Sequence, residues 1–134
     1  MTKLIDLEGD GEVYAQKLQA VGIDTVEELL EKGALPKGRT EIAEKSGVSG
    51  SFILRWVNHA DLFRIKGVGE EYADLLELAG VDTVPELAQR NADNLHKKLV
   101  EVNEEKQVVR RLPTRDQVAG WVTQAKALPR VITY

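Results

Sequence analysis

The sequence predicts an all-α protein built from two tandem units of about 60 residues each. The first observation is an internal repeat: residues 7–30 align with residues 65–88, 58 positions later, with 12 identities in 24 positions. The second is periodicity, because apolar residues recur at helical spacing and no segment keeps the alternation of a strand. The identical positions are Gly9/Gly67, Gly11/Gly69, Glu12/Glu70, Tyr14/Tyr72, Ala15/Ala73, Leu18/Leu76, Gly22/Gly80, Asp24/Asp82, Thr25/Thr83, Val26/Val84, Glu28/Glu86 and Leu29/Leu87. A repeat of this density predicts one shared fold for both halves of the chain.

Each unit is predicted to contain four helices, the first two separated by a left-handed turn. Gly22 stands where the first helix should stop, because glycine adopts the left-handed backbone without a steric penalty. Thr25 with Glu28 has the spacing of a capping box at the start of the second helix, and Thr83 with Glu86 repeats it.

The third and fourth helices complete each unit. In the first unit they are predicted at 38–46 and 51–62, with a glycine-containing turn at 47–50. The second unit has seven additional residues before its last helix, after which 118–122 align with 53–57. Its third helix is predicted at 93–105. A third capping box, Thr114 with Gln117, starts its last helix.

These elements set the predicted domain boundaries. The first unit spans residues 1–62 and the second spans 63–128, and we expect the two to pack into one compact body. Residues 129–134, which include Pro129, are predicted to form an extended C-terminal tail.

Composition limits the class of protein. The 134 residues include no cysteine, which excludes disulfides, thiolate metal sites and a cysteine nucleophile. The first residues do not resemble a signal peptide, and no uncharged run approaches the roughly 18 residues that span a bilayer, so we expect a cytoplasmic protein with no membrane association. The net charge of −4 is unevenly distributed. Residues 1–89 carry 9 basic and 17 acidic side chains (net −8), whereas residues 90–134 carry 9 and 5 (net +4), so a polyanion should meet the second half.

Two short glycine motifs carry a resemblance to a known superfamily. Residues 7–11 read Leu-Glu-Gly-Asp-Gly and residues 65–69 read Ile-Lys-Gly-Val-Gly, each followed by Tyr-Ala and then by Gly-(Ile/Val)-Asp-Thr-Val. They resemble the hairpins of helix-hairpin-helix proteins, and 47–49 resembles a more degenerate second hairpin. The whole chain is most similar to an uncharacterised, mainly bacterial family of tandem helix-hairpin-helix proteins known only as a domain of unknown function. The resemblance implies two tandem (helix-hairpin-helix)2-like four-helix units related by internal duplication.

The resemblance also implies binding to the nucleic-acid backbone, DNA or RNA. Glycines let the hairpin lie close to a strand, and the N–H groups that begin the next helix offer donors to phosphate oxygens. Carried over to this sequence, the phosphate site is formed by Lys66, Gly67, Val68 and Gly69. In the first unit Asp10 replaces the apolar tip residue and should repel phosphate. The alternative is that these glycines serve only as turns.

A cluster of basic residues in the second unit is the other candidate for phosphate contact. Lys97 and Lys98 fall on the predicted third helix, where a solvated face with acidic neighbours is the alternative interpretation. Arg110 and Arg111 fall in the link before the last helix, where contact with a nucleic-acid strand is feasible.

Other chemistry is not expected. Asp6, Glu8 and Asp10 imitate the start of a calcium-binding EF-hand loop, but Lys17 stands where the bidentate Glu is required. Trp56 and its counterpart in the second unit, Trp121, are interpreted as core residues, with base stacking as the lesser alternative. His59 and His96 are interpreted as surface or helix-face residues. No nucleophile–base pair or paired carboxylate site appears, so we expect neither an enzyme nor a metal ion or other cofactor.

Two functions from different classes therefore remain. The first is a non-catalytic module that binds nucleic-acid backbone independently of sequence through Lys66, Gly67, Val68, Gly69, Lys97, Lys98, Arg110 and Arg111. The second is a protein–protein interaction or scaffold module that has kept the fold and lost nucleic-acid binding, for which the acidic pI of about 5.3 is the main argument.

Overall fold

The computed structural model describes the backbone of residues 11–133 and the side chains of residues 14–133. Within that part of the chain the protein is all-helical, as predicted, with eight α-helices and no strand. The helices are α1 (Gly11–Gln19), α2 (Val26–Gly33), α3 (Pro36–Ser46), α4 (Gly50–Leu62), α5 (Glu70–Leu78), α6 (Val84–Ala88), α7 (Ala92–Lys106) and α8 (Arg115–Ala127). None of these helices is both long and apolar enough to cross a bilayer.

The chain divides into two compact units. Unit 1 runs to Asp61 and also takes in the C-terminal residues from Val131. Unit 2 runs from Leu62 to Arg130 and contains α5–α8. The sequence predicts residues 129–134 as a tail separate from both units. In the structure residues 129–130 belong to unit 2, and the residues from 131 onwards belong to unit 1.

The turn after the first helix has the predicted left-handed glycine in both units. Gly22 has φ +89° and Gly80 has φ +93°. In each case the N–H of the following residue donates to a carbonyl five residues earlier, Ile23 to Leu18 at 2.9 Å in unit 1. A basic side chain lies over each turn: Lys32 Nζ donates to the Gly22 carbonyl at 3.2 Å, and the Arg90 guanidinium occupies the corresponding place beside Gly80.

In two of the three predicted capping boxes the threonine hydroxyl accepts a hydrogen bond from the backbone N–H three residues later. The Thr25 hydroxyl accepts from the Glu28 N–H at 3.1 Å, and Thr114 with Gln117 makes both bonds of the box. The prediction for the start of α6 is wrong in part, because the Thr83 side chain makes no capping bond. The Glu86 carboxylate instead accepts from the N–H of Asp82, one residue before the cap, at 3.3 Å.

The core of unit 2 is a continuous apolar cluster contributed by all four of its helices. Its fully buried larger side chains are Leu62, Ile65, Leu75, Leu76, Leu87, Leu95 and Leu99. Trp121 belongs to it with 3% of its surface exposed, which confirms the core interpretation of this residue. In unit 1 the corresponding Trp56 is half-buried and contacts the rings of Tyr14 and Phe52, at centroid distances of 5.4 and 6.3 Å.

A buried arginine holds the C-terminal segment in unit 1. Arg39, 9% exposed, donates from Nη1 to the carbonyls of Gly33 (2.9 Å) and Ala34 (3.1 Å). From Nη2 it donates to the carbonyl of Thr133 at 2.8 Å. The Thr133 N–H in turn donates to the Ala34 carbonyl at 2.9 Å, and the neighbouring Ile132 is buried. The guanidinium thus joins the corner between α2 and α3 to a segment 94 residues further along the chain.

Replacing Arg39 with methionine should lower the free energy of unfolding of unit 1 by about 3 kcal/mol, because buried carbonyls lose their donor. Urea denaturation measures the loss, and hydrogen exchange should locate it in α2, α3 and the last residues. Lys37→Met removes an exposed charge from the same helix and should change stability by less than about 0.5 kcal/mol. Equal stability of the two variants would contradict the role given to Arg39.

Candidate nucleic-acid interface

The 65–69 hairpin is a tight turn whose apolar tip points into the protein. Gly67 is left-handed, with φ +95°, and a Cβ placed on it would lie 3.1 Å from Nε1 of Trp121. Val68 is 6% exposed, and its N–H donates to the Ile65 carbonyl at 3.2 Å. The fold therefore requires glycine at 67 and an apolar residue at 68, so only the backbone of these two residues is available to a ligand.

Gly69 differs from Gly67, because the fold does not require a glycine there. Its φ of −101° and ψ of −166° are extended backbone, and a Cβ placed on it would meet no atom within 4 Å. Gly69 is the N-cap of α5 and makes no side-chain capping bond, while its carbonyl accepts from the Ala73 N–H at 2.9 Å. The approach to the positive end of α5 is thus sterically open at Gly69. Glu70 and Glu71 supply acidic side chains to that first turn.

The backbone of Lys66 is fixed by a side chain from the last helix. The Gln124 carboxamide accepts from the Lys66 N–H at 2.9 Å and donates to the Lys66 carbonyl at 3.2 Å. Both backbone groups of Lys66 are thereby satisfied, and its side chain is exposed. No acidic partner pairs with Lys66 in the part of the chain that the structure describes.

The 107–114 link between α7 and α8 is held to unit 2 at three places. The Asn103 carboxamide accepts from the Val109 N–H at 2.9 Å and donates to the Val109 carbonyl at 3.1 Å. The Tyr72 hydroxyl donates to the Arg111 carbonyl at 2.9 Å. A ring nitrogen of His96 lies 3.2 Å from the Pro113 carbonyl oxygen, which accepts a hydrogen bond from it. His96 is therefore half-buried on a helix face and makes a tertiary contact.

The link presents Arg110 and Arg111 outwards. Val109 is 6% exposed and Pro113 is buried, so the apolar residues on either side of the arginines face the protein. Both arginines are exposed, and neither forms an ion pair among residues 14–133. Their charges are therefore available to an anion without the loss of an internal salt bridge.

Tyr72 connects the hairpin to the link. It lies in the first turn of α5, directly after the 65–69 hairpin, and its ring contacts that of Trp121 at 5.3 Å between centroids. The same indole ring lies against Gly67, and the Tyr72 hydroxyl reaches Arg111. Through these contacts, two parts of the predicted site, the 65–69 hairpin and the Arg110–Arg111 pair, lie at neighbouring positions.

The predicted lysines of α7 have a different environment. Leu95, Leu99 and Val102 form the buried side of α7, while Lys97 and Lys98 lie on its exposed side. That side also carries Asp93, Glu101, Glu104 and Glu105, all exposed. Within the described residues no hydrogen bond or ion pair joins either lysine to the hairpin or the link.

Arg115, at the start of α8, is already paired. Its Nε donates to Asp93 at 2.6 Å, and its Nη1 lies 3.6 Å from Asp116. The hydrogen bond from Arg115, reinforced by its charge, lowers the pKa of the Asp93 carboxyl below its usual value. The Asp93 carboxylate correspondingly raises the pKa of Arg115.

A second described hairpin lies between α3 and α4. Gly47 is left-handed, with φ +75°, Val48 is 5% exposed, and the Ser49 carbonyl accepts from the Ile53 N–H at 3.1 Å. The same succession is found at 67–69: a left-handed glycine, a buried valine, and a residue that caps the next helix. Here, however, the Ser49 hydroxyl accepts from the Phe52 N–H at 3.4 Å, so a side chain already occupies the helix end. The 7–11 hairpin and the calcium-like residues Asp6, Glu8 and Asp10 lie outside the described residues, apart from the backbone of Gly11.

The side chains that hold this site together are not identifiable from the sequence. The repeat matches Tyr72 to Tyr14, and this identity gives no sign of a bond from Tyr72 to the link. The sequence does not indicate the roles of Gln124 and Asn103 either, because their hydrogen-bond partners are fixed only by the tertiary structure.

A family model described as a domain of unknown function, DUF4332, matches residues 8–128. No curated protein and no solved structure matches the chain significantly.

Proposed function

The chain belongs to the DUF4332 family, and we propose that it is a non-catalytic module that binds the backbone of nucleic acid without reading base sequence. The single observation that carries this proposal is the open N-terminal end of α5 at Gly69. No side chain caps the helix there, the backbone angles do not require glycine, and a Cβ placed on Gly69 would meet no atom within 4 Å. A phosphate oxygen is a suitable acceptor for N–H groups at such a helix end.

The architecture proposed for this function is a tandem duplication of a helix-hairpin-helix unit. In its support, α4 and α8 both contain 13 residues and start 65 positions apart, the displacement that aligns 53–57 with 118–122. The tyrosine–tryptophan contact also recurs, with centroid distances of 5.4 Å in unit 1 and 5.3 Å in unit 2. The hairpins at 47–49 and 67–69 share a backbone pattern, as described above.

The Arg110–Arg111 pair adds positive charge to that of Lys66, the one basic residue of the 65–69 hairpin. A backbone binder gains affinity by neutralising phosphates and releasing their counterions, so exposed arginines without internal partners are effective contacts. In this proposal the backbone N–H groups at Gly69 and in the first turn of α5 bind one phosphate. Lys66 lies beside that phosphate, and Arg110 and Arg111 contact others. Lys97 and Lys98 contribute less, because their helix face is mixed in charge.

One observation favours the second candidate function, a protein-interaction module. Glu70 and Glu71 follow Gly69 directly, and carboxylates in the first turn both satisfy the helix dipole and repel phosphate. A partner protein with a basic or neutral surface would avoid that repulsion.

The variant Gly69→Ala tests the proposed site without disturbing the fold. Its backbone angles suit alanine and an added Cβ would meet no atom within 4 Å, so the loss of stability should be limited to the weaker capping preference of alanine, about 1 kcal/mol or less. Affinity for an oligonucleotide should fall by about tenfold or more, since the methyl group blocks a charge-assisted hydrogen bond to phosphate. Fluorescence anisotropy with duplex and single-stranded oligonucleotides, at low and physiological salt, measures this.

Gly50→Ala is the matched control, because Gly50 also has open space at its Cβ and lies in unit 1. It should leave affinity unchanged. If the folded wild-type protein binds none of the oligonucleotides at about 50 mM salt, where backbone binding is strong, the nucleic-acid function is wrong and the interaction module remains.

A further inference from the structure

The 107–114 link has no regular secondary structure at the arginines, yet its backbone is fixed by side chains. Asn103 and His96 hold its two ends, at Val109 and Pro113, from within α7. Only the bond from the Tyr72 hydroxyl to the Arg111 carbonyl comes from the helix that follows the 65–69 hairpin. Among the described contacts, Tyr72 is thus the one residue that bonds the hairpin side of the site to the arginines.

The position of Tyr72 is itself well defined. Its ring contacts Trp121, which is 3% exposed and lies against Gly67. A side chain held by a buried ring has few other rotamers to adopt, so its hydroxyl is presented to Arg111 at little entropic cost. Unit 1 offers a comparison: Tyr14 makes the corresponding ring contact with Trp56, but its hydroxyl has no bonded partner among the described residues.

We infer that Tyr72 is a positioning residue that holds the Arg110–Arg111 pair beside the 65–69 hairpin, so that both act as one phosphate-binding surface. This inference rests on the proposed function. The physical reason is preorganisation: a flexible link would have to be ordered when the strand binds, and affinity would fall by the cost of that ordering. The number of phosphate contacts would stay the same, because the hydroxyl itself contacts no phosphate.

The variant Tyr72→Phe tests this, because it keeps the ring on Trp121 and removes only the bond to Arg111. Affinity for a duplex oligonucleotide, measured by anisotropy, should fall about threefold to tenfold, the range for one hydrogen bond. The slope of log affinity against log salt should be unchanged, since no charge is lost. Tyr14→Phe, the same substitution at the matched position of unit 1, should leave affinity as in the wild type.

A double-mutant cycle separates positioning from a general structural effect. In a protein that already carries Arg110→Ala and Arg111→Ala, Tyr72→Phe should have no further effect on affinity, because there are no arginines left to position. An effect of the same size in both backgrounds would overturn the inference, as would a wild-type affinity in Tyr72→Phe itself. No binding by the folded wild type would overturn the proposed function and this inference with it, whereas binding that is insensitive to Tyr72 would overturn the inference alone.

Discussion

Reversing the charges of Arg110 and Arg111 together, as Arg110→Glu with Arg111→Glu, should lower affinity for every oligonucleotide sequence alike. Each phosphate contact contributes about 0.9 to the magnitude of the slope of log affinity against log salt, so losing two contacts reduces that magnitude by about 1.8. Affinity at 0.1 M salt should then fall roughly sixtyfold. Added repulsion makes this a lower bound. Anisotropy titrations at several salt concentrations, on duplexes of unrelated sequence, give both quantities.

The matched control is Lys97→Glu with Lys98→Glu, which changes the net charge of the same unit by the same amount. We expect a much smaller loss, because these lysines lie among exposed carboxylates on α7. Equal losses from the two double variants would show that net charge governs binding and that the link has no special position. A loss confined to one sequence would contradict readout of the backbone alone.

Replacing Trp121 with alanine should lower the free energy of unfolding of unit 2 by about 3–5 kcal/mol, the usual range for a buried aromatic residue. Trp121 packs against both Gly67 and the ring of Tyr72, so its loss leaves a cavity directly beneath the hairpin. Urea denaturation followed by circular dichroism measures the loss, and hydrogen exchange should place it in residues 62–130.

Trp56→Ala is the comparison from unit 1. Because Trp56 is half-buried, its removal takes less apolar surface out of the core, and we expect a loss smaller by at least about 1 kcal/mol. If the two variants lose equal stability, the contribution of these matched tryptophans to the free energy of unfolding does not depend on their difference in burial.

The sequence predicted those elements of the fold that depend on neighbouring residues. The left-handed turns at Gly22 and Gly80, the glycine-containing turn at 47–50 and the full capping box at Thr114 are confirmed, since each depends on backbone preferences within a few positions. Thr83 shows the limit of this reasoning. The residue type and spacing were correct, but a cap also requires the threonine rotamer to face the helix, which the sequence pattern does not encode.

The candidate site was predictable only as separate pieces. The hairpin glycines and the arginines are local motifs and could be named from the sequence. The bonds that fix them join residues 39 positions apart, from Tyr72 to Arg111, and 58 positions apart, from Lys66 to Gln124. Such partners are chosen by packing, so neither these two bonds nor the ion pair between Arg115 and Asp93 could be read from spacing.

The return of the C-terminal segment to unit 1 also orders events on the ribosome. Synthesis runs from the N-terminus, so α2 and α3 emerge long before Ile132 and Thr133, the residues that complete the Arg39 site. Unit 2 lies wholly between them in the chain, so all of its residues are synthesised before unit 1 can make these contacts. The first unit to be made is thus the last to be complete in sequence, and a chain that ends before residue 131 would contain all of unit 2 but lack the residues that finish the Arg39 site of unit 1.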